Sequence, residues 1–209
     1  MARYLESLCK VCRRDGIKLF LKGERCYTPK CAIEKRNIPP GQHGAARKSK
    51  VSNFGLRLRE KQKLRSMYGL LEKQFKGYFS KASRQQGVTG EELIKILESR
   101  LDHVVSRMGF CANHNMSRQY INHGHFLVNQ KSVNIPSCIL KEGDVISVKE
   151  KSRGIPQIKE SMEQAKKRGI SSWYQVDWDQ YSGVFRRIPS REDVVLPVQE
   201  QLVVELYSK

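Results

Sequence analysis

Four cysteines fall within 23 residues near the start of the chain, in CKVCRRDGIKLFLKGERCYTPKC. Cys9, Cys12, Cys26 and Cys31 follow the pattern C-x2-C-x13-C-x4-C. Two closely spaced pairs can each grip one ion from a tight turn, and four thiolates at about 2.3 Å close a tetrahedral Zn²⁺ shell. An iron–sulfur cluster at the same four cysteines is the alternative, since it also takes four thiolates. A catalytic zinc is disfavoured, because four protein ligands leave no position for water. A metal staple of this kind folds a small module that has little apolar core of its own. Lys10, Arg13, Arg14, Arg25 and Lys30 crowd the motif. Their charge is expected to lower the thiol pKa values.

The charge extends well past the cysteines. Residues 1–85 carry 22 Lys and Arg against six Asp and Glu, whereas residues 86–209 carry 17 against 15. A first half so positive calls for a polyanionic partner. Nucleic acid fits better than a membrane surface, because the basic half has no long apolar anchor and no run of about 18 apolar residues occurs anywhere. The N-terminus lacks the apolar segment of a secretory signal. The expected location is the cytoplasm, where thiols stay reduced and disulfides are disfavoured. Cys111 and Cys138 stand apart and read as small packed hydrophobes.

Along the chain, residues 37–55 read as an extended basic loop with two prolines and three glycines; His43, Arg47 and Lys48 lie in it. Ser52 is placed to cap a helix carrying Arg57, Arg59, Lys61, Lys63 and Arg65, with Glu60 the one acid among them. Like charges on adjacent turns repel, and a bound polyanion would relieve them. Leu71, Phe75, Tyr78, Phe79 and Ala82 repeat at helical spacing and read as core. TGEE at 89–92 reads as a capping box. A helix is then expected to run to Gly109 with Leu93, Leu97, Leu101, Val104, Val105 and Met108 buried, and with Arg100 and Arg107 on one side of it. Asn113 caps a further short helix. HFLVNQKSVNI reads as a hairpin turning at Asn129-Gln130, and GDVISVKE as another strand. Residues 155–170 read as helix and 171–193 as turns. EQLVVELYSK is expected to close the chain as a strand. His123 and His125 have no third ligand nearby, which argues against a second metal site. No Ser/His/Asp set, phosphate-binding glycine loop or catalytic carboxylate pair is present.

Residues 98–153 resemble the S-four RNA-binding domain, and PGQHG, LREKQKLRSMYG, EKQFKGYF and LVVELYSK extend the resemblance to the bacterial small-subunit ribosomal protein S-four family. The resemblance implies an α+β chain of four parts. These are a four-cysteine metal module and basic loop (1–45), a helical domain (46–97), an inserted S-four domain of two helices and a small antiparallel sheet (98–160), and a C-terminal segment (161–209) returning to the helical domain or sheet. It implies a structural protein, not an enzyme, that binds small-subunit ribosomal RNA and nucleates assembly of the subunit body. It further implies contact with ribosomal protein S-five near the path by which messenger RNA enters, an influence on decoding accuracy, and repression of its own operon. The expected protein is not a homo-oligomer. By family position Arg100, Arg107, Arg118, Gln119, His123 and Lys131 are the RNA-facing set of the S-four domain. His114 stands where a cation is frequent, which weakens that contact, and Tyr120 replaces the usual leucine.

Arg13, Arg14, Lys22 and Arg25, between the cysteines, are expected to form a rigid RNA-facing surface, continued by Arg57, Arg59, Lys61 and Arg65. Two competing readings fail on the residues. An RNA-modifying enzyme or synthetase carrying this domain needs a large catalytic domain for which the chain has no room. A zinc-containing DNA reader needs a recognition helix for the major groove, and the helices here favour phosphate.

Overall fold

The computed structural model describes residues 4–46 and 50–208. It divides into two compact units, the first formed by residues up to Leu93 together with Leu196 onward, the second by Ile94–Val195.

In the first unit the cysteine segment forms α1 (Leu8–Asp15), a 3-10 turn (Gly23–Cys26) and the short α2 (Ala32–Lys35). Its small core joins Cys12, Leu19 and Leu21, with Leu8, Val11, Ile17, Ile33 and Met67 partly buried against them. Helix α3 (Asn53–Met67) starts as expected at Ser52, whose Oγ accepts from the Gly55 N–H at 3.2 Å. That contact satisfies one of the donors every helix start leaves open. Helix α4 (Glu72–Ala82) buries Phe75, Tyr78 and Ala82, as its spacing predicted.

The expected C-terminal strand is a helix, α9 (Glu200–Tyr207). Its β-branched run suits a strand locally, but packing against α3 and α4 decides the outcome. Val203 is fully buried. Tyr207 stacks on Phe79, with ring centroids 4.6 Å apart, and donates its O–H to Glu72 at 2.7 Å. The Gln199 N–H at the helix start reaches the Glu60 carboxylate at 2.9 Å.

Helix α5 (Thr89–Glu98) leads into the second unit, which holds α6 (Leu101–Arg107), α7 (His114–Asn122), α8 (Pro156–Arg168) and a five-stranded antiparallel sheet. The helix expected to reach Gly109 is broken at Ser99-Arg100. There the backbone turns extended to meet the 136–140 segment: Leu101 N–H donates to Cys138 O at 2.9 Å, Asp102 N–H to Pro136 O at 3.1 Å, and Leu140 N–H to Ser99 O at 2.8 Å. The apolar stripe stays buried on both sides of the break.

The strands are β1 (Phe126–Val128), β2 (Lys131–Ser132), β3 (Val145–Val148), β4 (Tyr174–Asp177) and β5 (Ser182–Phe185), in the order β2-β1-β3-β5-β4. Pairing of Phe126 with Val148 and Val128 with Ile146 puts these four side chains into one core with Leu101, Val104 and Phe110. The β1–β2 turn falls where expected. Asn129 (φ 47°) and Gln130 (φ 65°) both take the left-handed conformation that matches hairpin twist. The segment read as turn-rich contains β4 and β5, and Tyr174 and Phe185 at the ends of that pair are buried. These strands and α8 make the compact unit longer than the 98–160 segment. Gly109 (φ 89°) admits α8 closely, since a Cβ there would lie 2.2 Å from that of Ala165.

Candidate nucleic-acid interface

The chain's positive charge divides into cations that water reaches and cations that the fold consumes. Arg14, Lys22, Arg25, His43, Arg59, Arg107, Gln119, His123 and Lys131 are exposed, while Arg13, Arg57 and Arg65 are half-buried. Arg47 and Lys48 lie outside the described residues. The exposed set is spread over the cysteine segment, α3, the ends of α6 and α7, and the β1–β2 hairpin.

Three expected contact residues are buried and ion-paired in this structure. Arg100 is fully buried, and its Nε and an Nη donate to the two Asp102 carboxylate oxygens at 3.0 and 2.7 Å. Arg118, 7% exposed, donates from Nε to Asp102 at 2.7 Å. Burial pushes the Asp102 carboxyl up, but the charges of Arg100 and Arg118 outweigh it and hold the group below its ordinary range. One carboxylate thus fastens the start of α6 to the middle of α7, and both arginines are held in the interior. Lys61 is the third. It is 7% exposed and bound to Glu72 at 2.7 Å.

Lys61 belongs to a wider neutralisation of α3. Arg57 pairs with Glu205 of α9 at 2.6 Å, Lys63 pairs with Glu60, and Arg65 lies 3.7 Å from Glu72. Burial raises the Glu72 pKa, yet hydrogen bonds from Lys61 and Tyr207 with the nearby cations bring it below its usual value. The repulsion expected to need a polyanion is therefore largely met by Glu60 of α3 itself and by acids of α4 and α9. Arg59 remains exposed and faces a cleft of about 870 Å³, lined also by Arg14, Asp15, His43, Lys50 and Gln62.

A second buried network lies beside the first. The Glu98 carboxylate and His103 Nε2 are 2.9 Å apart, and His103 Nδ1 and His114 Nε2 are 2.9 Å apart. Burial, and then the adjacent His103, push the His114 pKa well below 6.5, so its ring is neutral at pH 7. His114 is thus a partner of His103 within the fold. Arg107 Nε lies 3.3 Å from His103 Nε2 at the rim of this network.

Sequence reading missed these acid–base partners. An arginine two residues before an aspartate at a helix start was the available signal for Arg100 and Asp102. No local signal links Asp102 to Arg118, sixteen residues away.

In the cysteine segment, Cys12, Cys26 and Cys31 are buried and Cys9 is half-buried. The Lys22 N–H donates to Cys26 Sγ at 3.4 Å, and the Leu19 backbone does the same for Cys12. Such N–H···S contacts suit a thiolate metal ligand. The expected lowering of the thiol pKa values is not found. Burial, opposed by those N–H donors and reinforced by the neighbouring cysteines, raises Cys12 and Cys26. The donor set therefore suits a metal in residue type and burial. Among the described residues, no three His, Cys, Asp or Glu side chains close on a common centre.

No helix among the described residues is long and apolar enough to cross a membrane. The family model for the ribosomal protein S4/S9 N-terminal domain matches residues 3–98, and that for the S4 domain matches residues 99–146. Proteins named small ribosomal subunit protein uS4 match the full length of this chain and of their own. Those of Syntrophobacter fumaroxidans and Geobacter sulfurreducens are each 56% identical over 209 residues, and that of Citrifermentans bemidjiense is 55% identical. With both halves matched and the whole length shared at this identity, the chain belongs to the uS4 family of small ribosomal subunit proteins.

Proposed function

We infer that this chain is a structural, non-enzymatic constituent of the small ribosomal subunit that binds ribosomal RNA through its exposed cations. The observation that carries the reading is the full-length match to uS4 proteins together with the S4 domain. The mechanism follows from the charge sorting. A buried carboxylate ties α6 to α7, and partly exposed ion pairs tie α3 to α4 and α9. Arg59 and Arg107 then stand on braced helices. A cation already fixed by its support loses little further freedom on meeting a phosphate, and shaped RNA is recognised through phosphate and 2′-OH contacts. Early binding to ribosomal RNA and nucleation of the subunit body extend this reading, which places the protein in the cytoplasm. Contact with ribosomal protein S-five, nearness to messenger RNA as it enters, an influence on decoding accuracy and repression of its own operon rest on the family resemblance. Competition binding tests the RNA reading. Small-subunit ribosomal RNA should outcompete unrelated RNA and duplex DNA, and equal affinity for all three would sink it.

The four cysteines are proposed to hold one structural zinc ion, with an iron–sulfur cluster as the alternative. Support comes from the spacing, the burial of three thiols and their N–H donors. Bound there, the ion would cross-link α1, the 3-10 turn and the start of α2, a segment whose own apolar cluster is small. Elemental analysis of the purified protein should find one zinc per chain. Iron with sulfide would favour the alternative, and neither would remove the metal from the account.

A further inference from the structure

Phe20 and Tyr27 are the one exposed aromatic pair in the cysteine segment. Phe20 is 46% exposed and Tyr27 56%, with ring centroids 4.9 Å apart and planes tilted by 32°. Because the two rings lie against each other, they form one contiguous aromatic patch rather than two scattered exposed residues. The backbone sharpens the point. Phe20 has φ of 53°, a left-handed conformation that aromatic residues seldom adopt. Leu19 and Leu21 on either side are both buried in the module's core, at 4% and 8% exposure. The turn that buries both leucines throws the ring between them outward. Glycine or asparagine would take that turn with less strain, and neither packing nor the turn requires a phenyl ring there. Tyr27 is held in the same way, directly after the buried Cys26 and with its N–H on Glu24 O at 2.8 Å. Both rings are therefore fixed at their roots. Lys22, Arg25 and Lys30, close to them in sequence, are exposed.

Exposed aromatics among exposed cations make the combination that holds unpaired bases, the ring faces stacking and the cations following the phosphates. Base stacking suits this pair better than a protein contact, because the exposed cations of the same segment attract a polyanion more strongly than an ordinary protein surface. We propose that Phe20 and Tyr27 form a platform on which an unpaired base of the ribosomal RNA stacks. The proposal rests on the RNA-binding reading above and adds a contact of different physical kind. The cations give salt-dependent attraction without regard to base pairing, whereas the platform selects a site where a base is free of its helix.

The test compares full-length wild type with Phe20→Leu and Tyr27→Leu, which keep an apolar side chain but remove the stacking face. Binding to small-subunit ribosomal RNA is measured over a range of salt, with base-specific chemical probing of the complexes. Each variant should bind about 5- to 100-fold more weakly, the effect of losing one stacked base. The slope of log affinity against log salt should not change, since no phosphate contact is lost. An unpaired base protected by wild type should become reactive in the variants. Phe20→Tyr and Tyr27→Phe should restore protection, and thermal melting separates loss of stacking from loss of fold. Leucine variants that melt normally, bind as wild type and protect the same bases would overturn the proposal and leave the pair as a protein-facing surface. So would a loss of affinity accompanied by a shallower salt slope. Failure of wild type to prefer ribosomal RNA would instead overturn the underlying reading.

Discussion

At the scale of single residues, the chain shows that an arginine's position in a sequence does not say whether it faces solvent. Arg100 and Arg107 look alike as letters, yet Arg100 is fully buried on Asp102 and Arg107 is exposed. The difference comes from the helix break at Ser99-Arg100, which depends on backbone pairing with residues near 138 and is invisible locally. Removing one partner of a buried ion pair strands the other charge. Arg100→Ala leaves the buried Asp102 carboxylate with Arg118 but without its two bonds from Arg100, and should cost about 1–3 kcal/mol of stability, read from urea unfolding. A change below about 1 kcal/mol would show that the pair matters little to the fold.

His114 gives the pH dependence. Its folded pKa lies well below its ordinary 6.5, under burial first and then the neighbouring His103, with Asp102 opposing and Arg118 and Arg107 adding to the depression. Between the folded and unfolded pKa values the unfolded chain holds a proton that the folded chain does not. Stability from this group is complete above roughly pH 6.5 and declines as pH falls, by up to about 1.4 kcal/mol per pH unit. Urea midpoints at pH 7.5 and 5.5 should differ less in His114→Gln than in wild type. An equal difference in both would place the acid sensitivity elsewhere.

At the scale of elements, hydrophobic spacing and turn chemistry were legible wherever the deciding contacts were local. The Ser52 and Asn113 caps formed as expected, the latter accepting from the Met116 N–H at 3.0 Å. So did the Phe75, Tyr78 and Ala82 face, and the alternation of β3. The reading failed at α9 and at the β4–β5 hairpin. α9 is helical because Val203, Glu205 and Tyr207 find partners on α3 and α4, far away in sequence. The hairpin is masked by a run of polar and turn-forming residues. The Asn129-Gln130 turn offers an element-scale test. Gln130 occupies a left-handed position that glycine takes without steric cost. Gln130→Gly should raise stability by about 0.5–1 kcal/mol in chemical denaturation; a loss would mean that the glutamine side chain is itself engaged.

At the scale of the whole molecule, charge asymmetry and family motifs identified the partner class, but they overstated how many cations are available to it. Lys61, Arg100 and Arg118 hold the protein together, and the acids that pair with them were read only as a small deduction from a large positive sum. The central claim is that exposed cations bind RNA phosphates while buried ones organise the fold. Salt-dependent binding to small-subunit ribosomal RNA tests it most directly. Lys131→Ala and Arg59→Ala should each reduce the magnitude of the log–log salt slope by about 0.7–0.9 and leave the unfolding midpoint unchanged. Arg100→Ala, measured where the protein is still folded, should keep the wild-type slope while lowering the midpoint. The claim is contradicted if Arg100→Ala flattens the slope as Lys131→Ala does and leaves stability intact.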